Sequence, residues 1–305
     1  MKSRTLLPLG LLVVLGVCAI ATAQQKVLYQ KQSLYNTILV TEDEQGLRTL
    51  WFEKDGARQS VVKVGDPDHI ELPYAQAMPV GLALVEEPKR VLIVGLGGGT
   101  IPSFLHKHYP KTLIDVVDID PDVVDAAKRF FGFREDATLR AHVADGRRFI
   151  EQSPNRYDII FLDAFGAENI PYHLATREFL QAVRRALTPG GIVVGNVWSR
   201  YSNPLYDSMV RTYQDVFDEL CILDVRDSGN RIFIAVPRKG RIERDDLARR
   251  ATNVSKQRHF PFDMGALVRH GLRHPAAGAS RGRVLTDRKK ESARTVQPSG
   301  ANVFG

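Results

Sequence analysis

Three acids stand where successive strands of this chain should end: Asp118, Asp145 and Asp163. Ahead of them the apolar run Val91-Leu92-Ile93-Val94 enters Gly95-Leu96-Gly97-Gly98-Gly99. A glycine turn between a strand and a helix lets a ligand approach the backbone and meet the N-terminus of that helix. Gly95, Gly97 and Gly99 are therefore candidate ligand-binding positions. Asp118 follows Gly95 by 23 residues, where a carboxylate accepts hydrogen bonds from ribose hydroxyls; the alternative is a surface acid beside a turn. Asp145-Gly146 follows the next strand and faces the same crevice. Asp145 can accept from an adenine amino group or cap the following helix. Asp163 closes a fourth strand and can take the proton of an attacking amine, or hold that amine by hydrogen bonding. Glu168, Tyr172 and His173 sit in a loop over the pocket as candidates to touch a second substrate. Asp120, before Pro121, reads as a helix cap.

These residues need a scaffold, and the pattern around them supplies one. Residues 27–64 alternate apolar and polar in short runs, with a turn signal at Asp55-Gly56, and predict three or four antiparallel strands. Pro67 to Glu87 reads as helical. Strands are expected at 91–95, 113–119, 139–144, 157–163 and 191–198, and helices at about 100–109, 121–131, 146–152, 174–187 and 204–218. Strands near 220–226 and 231–237, split by Asp227-Ser228-Gly229-Asn230, form a closing hairpin. Strand–helix alternation implies an α/β doubly wound parallel sheet with an antiparallel edge. The glycine turn alone does not separate NAD from an adenosyl sulfonium. Leu187-Thr188-Pro189-Gly190-Gly191 and the closing hairpin favour the sulfonium, because both are typical of S-adenosylmethionine-dependent folds.

The expected organisation is a signal peptide at 1–23, a small β-sheet domain at 24–66 and a Rossmann-like catalytic domain at 67–240. A helical extension at 241–275 and a basic, disordered tail at 276–305 complete it. Lys2 and Arg4 precede the apolar Leu6–Ile20, too short for a comfortable span, and Ala21-Thr22-Ala23 fits a cleavage site. Export to the periplasm or medium follows, with an uncleaved membrane anchor as the alternative. Cys221 is then the one remaining cysteine, so no intrachain disulfide is available.

The net charge of +7 misleads: residues 238–305 carry +10 and the rest −3. No nucleic-acid recognition motif accompanies Arg249-Arg250 or Arg288-Lys289-Lys290, and no nucleic-acid partner is expected. His106-Lys107-His108 reads as solvated surface, since i,i+2 residues on a helix do not share a face. No metal site is expected. Trp51 and Trp198 read as core or pocket wall.

Residues 30–237 resemble the spermidine synthase (polyamine aminopropyltransferase) family. The likeness rests on the small sheet, Tyr74, Gly95–Gly99, Val117-Asp118-Ile119-Asp120, Asp145-Gly146 and the strand ending at Asp163. It implies a seven-stranded sheet of the class I S-adenosylmethionine-dependent methyltransferase type, and a homodimer is expected. It also implies that Asp118 binds ribose, that Asp145 binds the adenine end, and that Asp163 is the acid/base group with Tyr74 beside it. No permanently bound cofactor is implied; decarboxylated S-adenosylmethionine or S-adenosylmethionine would be a co-substrate. The chain departs from the family at three carboxylates: Gly98 replaces an Asp, Gln76 a Glu and Gly166 an Asp. Carboxylates recognise polyamine cations, and each lost charged hydrogen bond weakens recognition by roughly 1.5–3 kcal/mol. Three readings stay open: aminopropyl transfer to an amine acceptor that need not be putrescine, methyl transfer, and a non-catalytic nucleoside-binding member.

Overall fold

The computed structural model describes residues 25–54, 56–166, 170–275 and 282–287. The expected signal segment, Asp55 and Glu168 lie outside the described residues.

Strands β1 (Lys26–Gln32), β2 (Thr37–Glu42), β3 (Leu47–Trp51) and β4 (Arg58–Lys63) form an antiparallel sheet in chain order. Period-two alternation puts Ile38, Val40 and Leu50 on one fully buried face. That face packs on Val123, Ala126 and Phe131 of the next unit, so the small sheet has no core of its own.

Pro67–Glu87 is not one helix. Only α1 (Pro73–Ala77) and a 3-10 segment, Met78–Leu84, are helical. Pro79 has no N–H for an i→i−4 bond, which limits continuation of the α-helix and leaves the tighter turn.

The large sheet begins with β5 (Arg90–Val94), α2 (Thr100–His108), β6 (Leu113–Asp118), α3 (Pro121–Phe130), β7 (Leu139–Val143), α4 (Gly146–Gln152) and β8 (Tyr157–Leu162). It continues through α5 (Arg177–Arg185), β9 (Leu187–Trp198), α6 (Tyr206–Val216), β10 (Glu219–Asp224) and β11 (Asn230–Val236). Helices α7 (Arg244–Gln257) and α8 (Met264–Gly271) and the two-residue β12 (Leu272–Arg273) follow. The strand order is β12-β10-β11-β9-β8-β5-β6-β7, with β5, β6, β7, β8 and β9 parallel. Order reverses between β5 and β8, and such a switch point opens a crevice at the strands' carboxyl ends.

Seven strands match the expected sheet, and β12 adds an eighth at the edge. Two residues are too few to carry a legible alternation. Thr188–Gly191 is not a separate connection but a bulge within β9: Tyr157 pairs Leu187 and Ile159 pairs Ile192. Apolar layers cover both faces of the large sheet, with Leu92 and Val193 on one side and Ile93 and Val194 on the other.

The tail does not match its expected disorder at residues 282–287. Leu285 is buried at 1 % exposure against the α5–α6 layer. Its N–H donates to Thr212 Oγ1 (2.9 Å), and its carbonyl accepts from Arg177 N (2.7 Å). Asp287 pairs bidentately with Arg147 at 2.7 and 2.8 Å. Two adjacent apolar residues, Val284 and Leu285, in a basic stretch carry no periodicity, which is why the sequence does not announce this docking.

Candidate active site

The crevice at the switch point is walled by the glycine loop, by the ends of β6 and β8, and by the small sheet. Val94 leads into Gly95, whose φ of +103° favours glycine. A Cβ there would also meet the carbonyl oxygen of Asp163 at 2.3 Å. The loop is therefore pressed against the backbone of the residue expected to do chemistry.

Asp118 lines the crevice at the end of β6. Its Oδ2 accepts from Leu96 N (2.9 Å) and its Oδ1 from Asp120 N (3.0 Å). Burial pushes its carboxyl up to about 6, and those backbone donors hold it below where burial alone would put it. Its remaining surface faces the crevice. Asp118 thus shapes the glycine loop while lining the crevice.

Asp145 caps α4 by accepting from Arg148 N (2.9 Å), and it lines the crevice. Its second oxygen engages His173 Nε2 at 2.8 Å. Burial opposes its ionisation, but the Arg148 N–H and His173 outweigh burial and hold the carboxyl below its ordinary range. Gly146 packs where a Cβ would meet Val94 at 2.5 Å. Asp120 is a helix cap, accepting from Asp122 N at 2.9 Å.

Asp163 lies on the crevice floor, one residue past β8. Burial pushes its carboxyl up to about 7, and the Asn196 amide partly offsets that. The exposed part of Asp163 faces the crevice, so water there is limited and desolvation governs. Tyr74 also lines the crevice, and its hydroxyl donates to Gln59 O at 3.0 Å. Burial, then the charge of Asp163, pushes the phenol well above its ordinary range. Tyr74 is therefore a neutral group here, not a base.

Of the other candidate substrate contacts, His173 lines the crevice, whereas Gln76 and Tyr172 do not. Gln76 turns away and donates to Ile70 O (2.7 Å). Tyr172 donates its hydroxyl to Thr286 O (3.0 Å), which ties the loop over the pocket to the docked tail. Phe165 lines the crevice, and its ring centroid lies 6.1 Å from that of Trp198, which is not among the lining residues. Of the histidines at 106 and 108, His108 is not solvated: its ring bridges Asp68 (2.7 Å) and Arg258 O (2.8 Å).

Sequence reasoning missed Ser60 and the Asn36, Phe52 and Gln59 wall from the small sheet, and Asn196, which bonds Asp163 from behind the crevice lining. Ser60 Oγ accepts from Gly98 N at 2.9 Å. A Cβ at Gly98 would meet Ser60 Cβ at 3.0 Å and Phe131 at 3.1 Å. A side chain at this position would be tight against both neighbours. None of these residues belongs to a motif, since each comes from an element that only the fold brings near.

Residues 74–221 match the model of the spermine/spermidine synthase domain. A polyamine aminopropyltransferase of Vibrio vulnificus is 38% identical over 220 residues, covering 70% of this chain and 73% of the relative. The chain belongs to the spermidine synthase family.

This member of the family is a transferase, and its solved neighbours span two chemistries. A probable spermidine synthase from Corynebacterium glutamicum shares the fold at a TM-score of 0.68 and 20% identity, covering 86% of this chain and 97% of that one. Human methyltransferase-like protein 13, solved with SAH, aligns at a TM-score of 0.57 and 29% identity, covering 63% of this chain and 95% of that one.

Proposed function

We propose that this protein transfers an aminopropyl group from decarboxylated S-adenosylmethionine to an amine other than putrescine. The observation that carries this is Asp163: a carboxylate raised to about 7, on the floor of a nucleoside crevice, beside a neutral Tyr74. A bound sulfonium is an opposite charge, and it favours the ionised carboxylate. Donor binding would thus prepare Asp163 to accept the amine's proton as nitrogen attacks carbon and methylthioadenosine leaves. Gly95–Gly97, Asp118 and Asp145 would hold the nucleoside and align carbon with nitrogen.

The acceptor end supports an amine with one charge near the reacting nitrogen. Among the described residues lining the crevice, the acids are Asp118, Asp145 and Asp163, and the first two stand on the nucleoside side. Phe52 and Phe165 occupy wall that a dication would need lined with carboxylates. Methyl transfer from S-adenosylmethionine is the second reading. It is favoured by Gly98, which removes an acid that would repel the donor's carboxylate, and by the likeness to a methyltransferase.

Incubation with each donor and a panel of amines, followed by mass spectrometry, tests both readings. Methylthioadenosine is the product expected of aminopropyl transfer. S-adenosylhomocysteine would replace that reading with methyl transfer, and neither product would leave a non-catalytic nucleoside binder.

A further inference from the structure

Away from the crevice, Glu219, Cys221 and His274 bring a carboxylate, a thiol and an imidazole together at the sheet edge. We propose that these three side chains form a zinc site that pins the C-terminal extension to β10.

The backbone sets up the cluster. Glu219 and Cys221 are two residues apart on β10, so they share one face of the strand. Strand β12 pairs antiparallel with β10, Leu272 opposite Leu223 and Arg273 opposite Ile222. One further step in that register puts His274 opposite Cys221.

The atoms are spaced as ligands are. His274 Nε2 lies 3.0 Å from Glu219 Oε1 and 3.3 Å from Cys221 Sγ. Cys221 Sγ lies 3.9 Å from Glu219 Oε1. A tetrahedral zinc with bonds of about 2.0–2.3 Å to nitrogen, oxygen and sulfur spans ligand pairs about 3.3–3.6 Å apart. Shifts of a few tenths of an ångström would therefore seat the ion. Cysteine, histidine and carboxylate are the side chains zinc takes. Cys221 is buried, while the Glu219 and His274 side chains keep 19% and 22% exposure, so the fourth ligand position opens to water.

A divalent cation would favour thiolate and carboxylate together. Arg241 Nη2 stands 3.4 Å from His274 Nδ1, but its side chain is two-thirds exposed and can withdraw once Nδ1 carries the proton. The consequence would be structural. None of the three residues lines the crevice, and the two-residue β12 is a weak tether for α7 and α8. The histidine lies 53 residues from the cysteine, beyond any ligand spacing a motif would show.

The test is a titration of tag-free, chelator-treated protein with Co²⁺, followed by Zn²⁺. One equivalent of Co²⁺ should give a thiolate-to-cobalt charge-transfer band in the near ultraviolet, and Zn²⁺ should displace it and raise Tm. Cys221→Ser should abolish the band. His274→Ala and Glu219→Gln alter partly exposed side chains and should fold, with zinc affinity at least tenfold weaker. Absence of stoichiometric binding, a band that survives Cys221→Ser, or unchanged zinc affinity in His274→Ala would overturn the proposal.

Discussion

Asn196 Nδ2 donates to Asp163 Oδ1 at 2.8 Å, and Asn230 Nδ2 in turn donates to Asn196 Oδ1 at 2.9 Å. Ser228 Oγ extends the chain to Asn230 Oδ1 at 2.7 Å. The closing hairpin thus reaches the crevice floor through a line of side chains. With its oxygen occupied by Asn230, the Asn196 amide is fixed as a donor toward Asp163.

Asp163→Asn keeps this shape and removes the basicity. It should lower kcat by about 10²–10⁴-fold, the range for general acid–base catalysis, while methylthioadenosine still binds. In the wild type, kcat/KM should rise with pH through about 7 as Asp163 ionises. Asn196→Leu removes the group that offsets burial, so the same profile should move to higher pH. Steady-state kinetics across pH check both, and a profile unchanged in Asn196→Leu would remove the amide from the mechanism.

The same carboxyl links function to stability. Its folded value, about 7, lies above the ordinary 3.8, so the folded protein binds the proton more tightly than the unfolded chain. Its contribution is fully present below about pH 4 and is lost as pH rises through 7. Asp163→Asn mimics the protonated form. Its Tm should match the wild type at pH 4 and exceed it at pH 8, as differential scanning calorimetry would show.

Asp118→Ala removes both the ribose acceptor and the brace on the Leu96 N–H. Affinity for methylthioadenosine should fall by about 1.5–3 kcal/mol, the scale for hydrogen bonds to a charged group. Wild-type affinity should itself weaken below pH 6, where Asp118 takes up a proton. Isothermal calorimetry of wild type and variant at pH 5 and pH 8 measures both effects.

Truncation after Pro275 removes the docked 282–287 segment. Burial of Leu285 and the Arg147–Asp287 pair make this costly. Deleting a buried leucine side chain costs about 2–5 kcal/mol, and each kcal/mol moves Tm by roughly 2–4 °C in a domain of this size. The truncated protein should melt at least about 5 °C lower, and Leu285→Ala alone should reproduce most of the loss.

Restoring the family's acid through Gly98→Asp should fail by itself. The added Cβ would meet Ser60 and Phe131, so the loop must shift and nucleoside affinity should drop. Ser60→Gly in the same chain should recover part of that affinity, and activity toward putrescine becomes testable only in the double variant.

The crevice wall made by the glycine loop and the strand-end acids was legible in the sequence because its signals are local. An apolar run, a glycine turn and a strand-end acid lie within one strand–turn–helix unit, and parallel strands align the ends of three such units at one edge. Gly95, Asp118, Asp145 and Asp163 fell together for that reason. The rest of the wall was not legible. Gln76 carried a motif position yet turned to the Ile70 carbonyl, and Tyr172 turned to the tail, because neighbours in space decide where a side chain points. Ser60, Phe52 and Asn196 arrive from the small sheet and from β9, and Leu285 and His274 arrive from the C-terminal region. Their roles depend on contacts between residues tens of positions apart, and a one-dimensional pattern holds no period or spacing for such contacts. The sequence by itself determined the alternation of strands and helices and the acids at the strand ends; only the packing of one element on another decided what surrounds them.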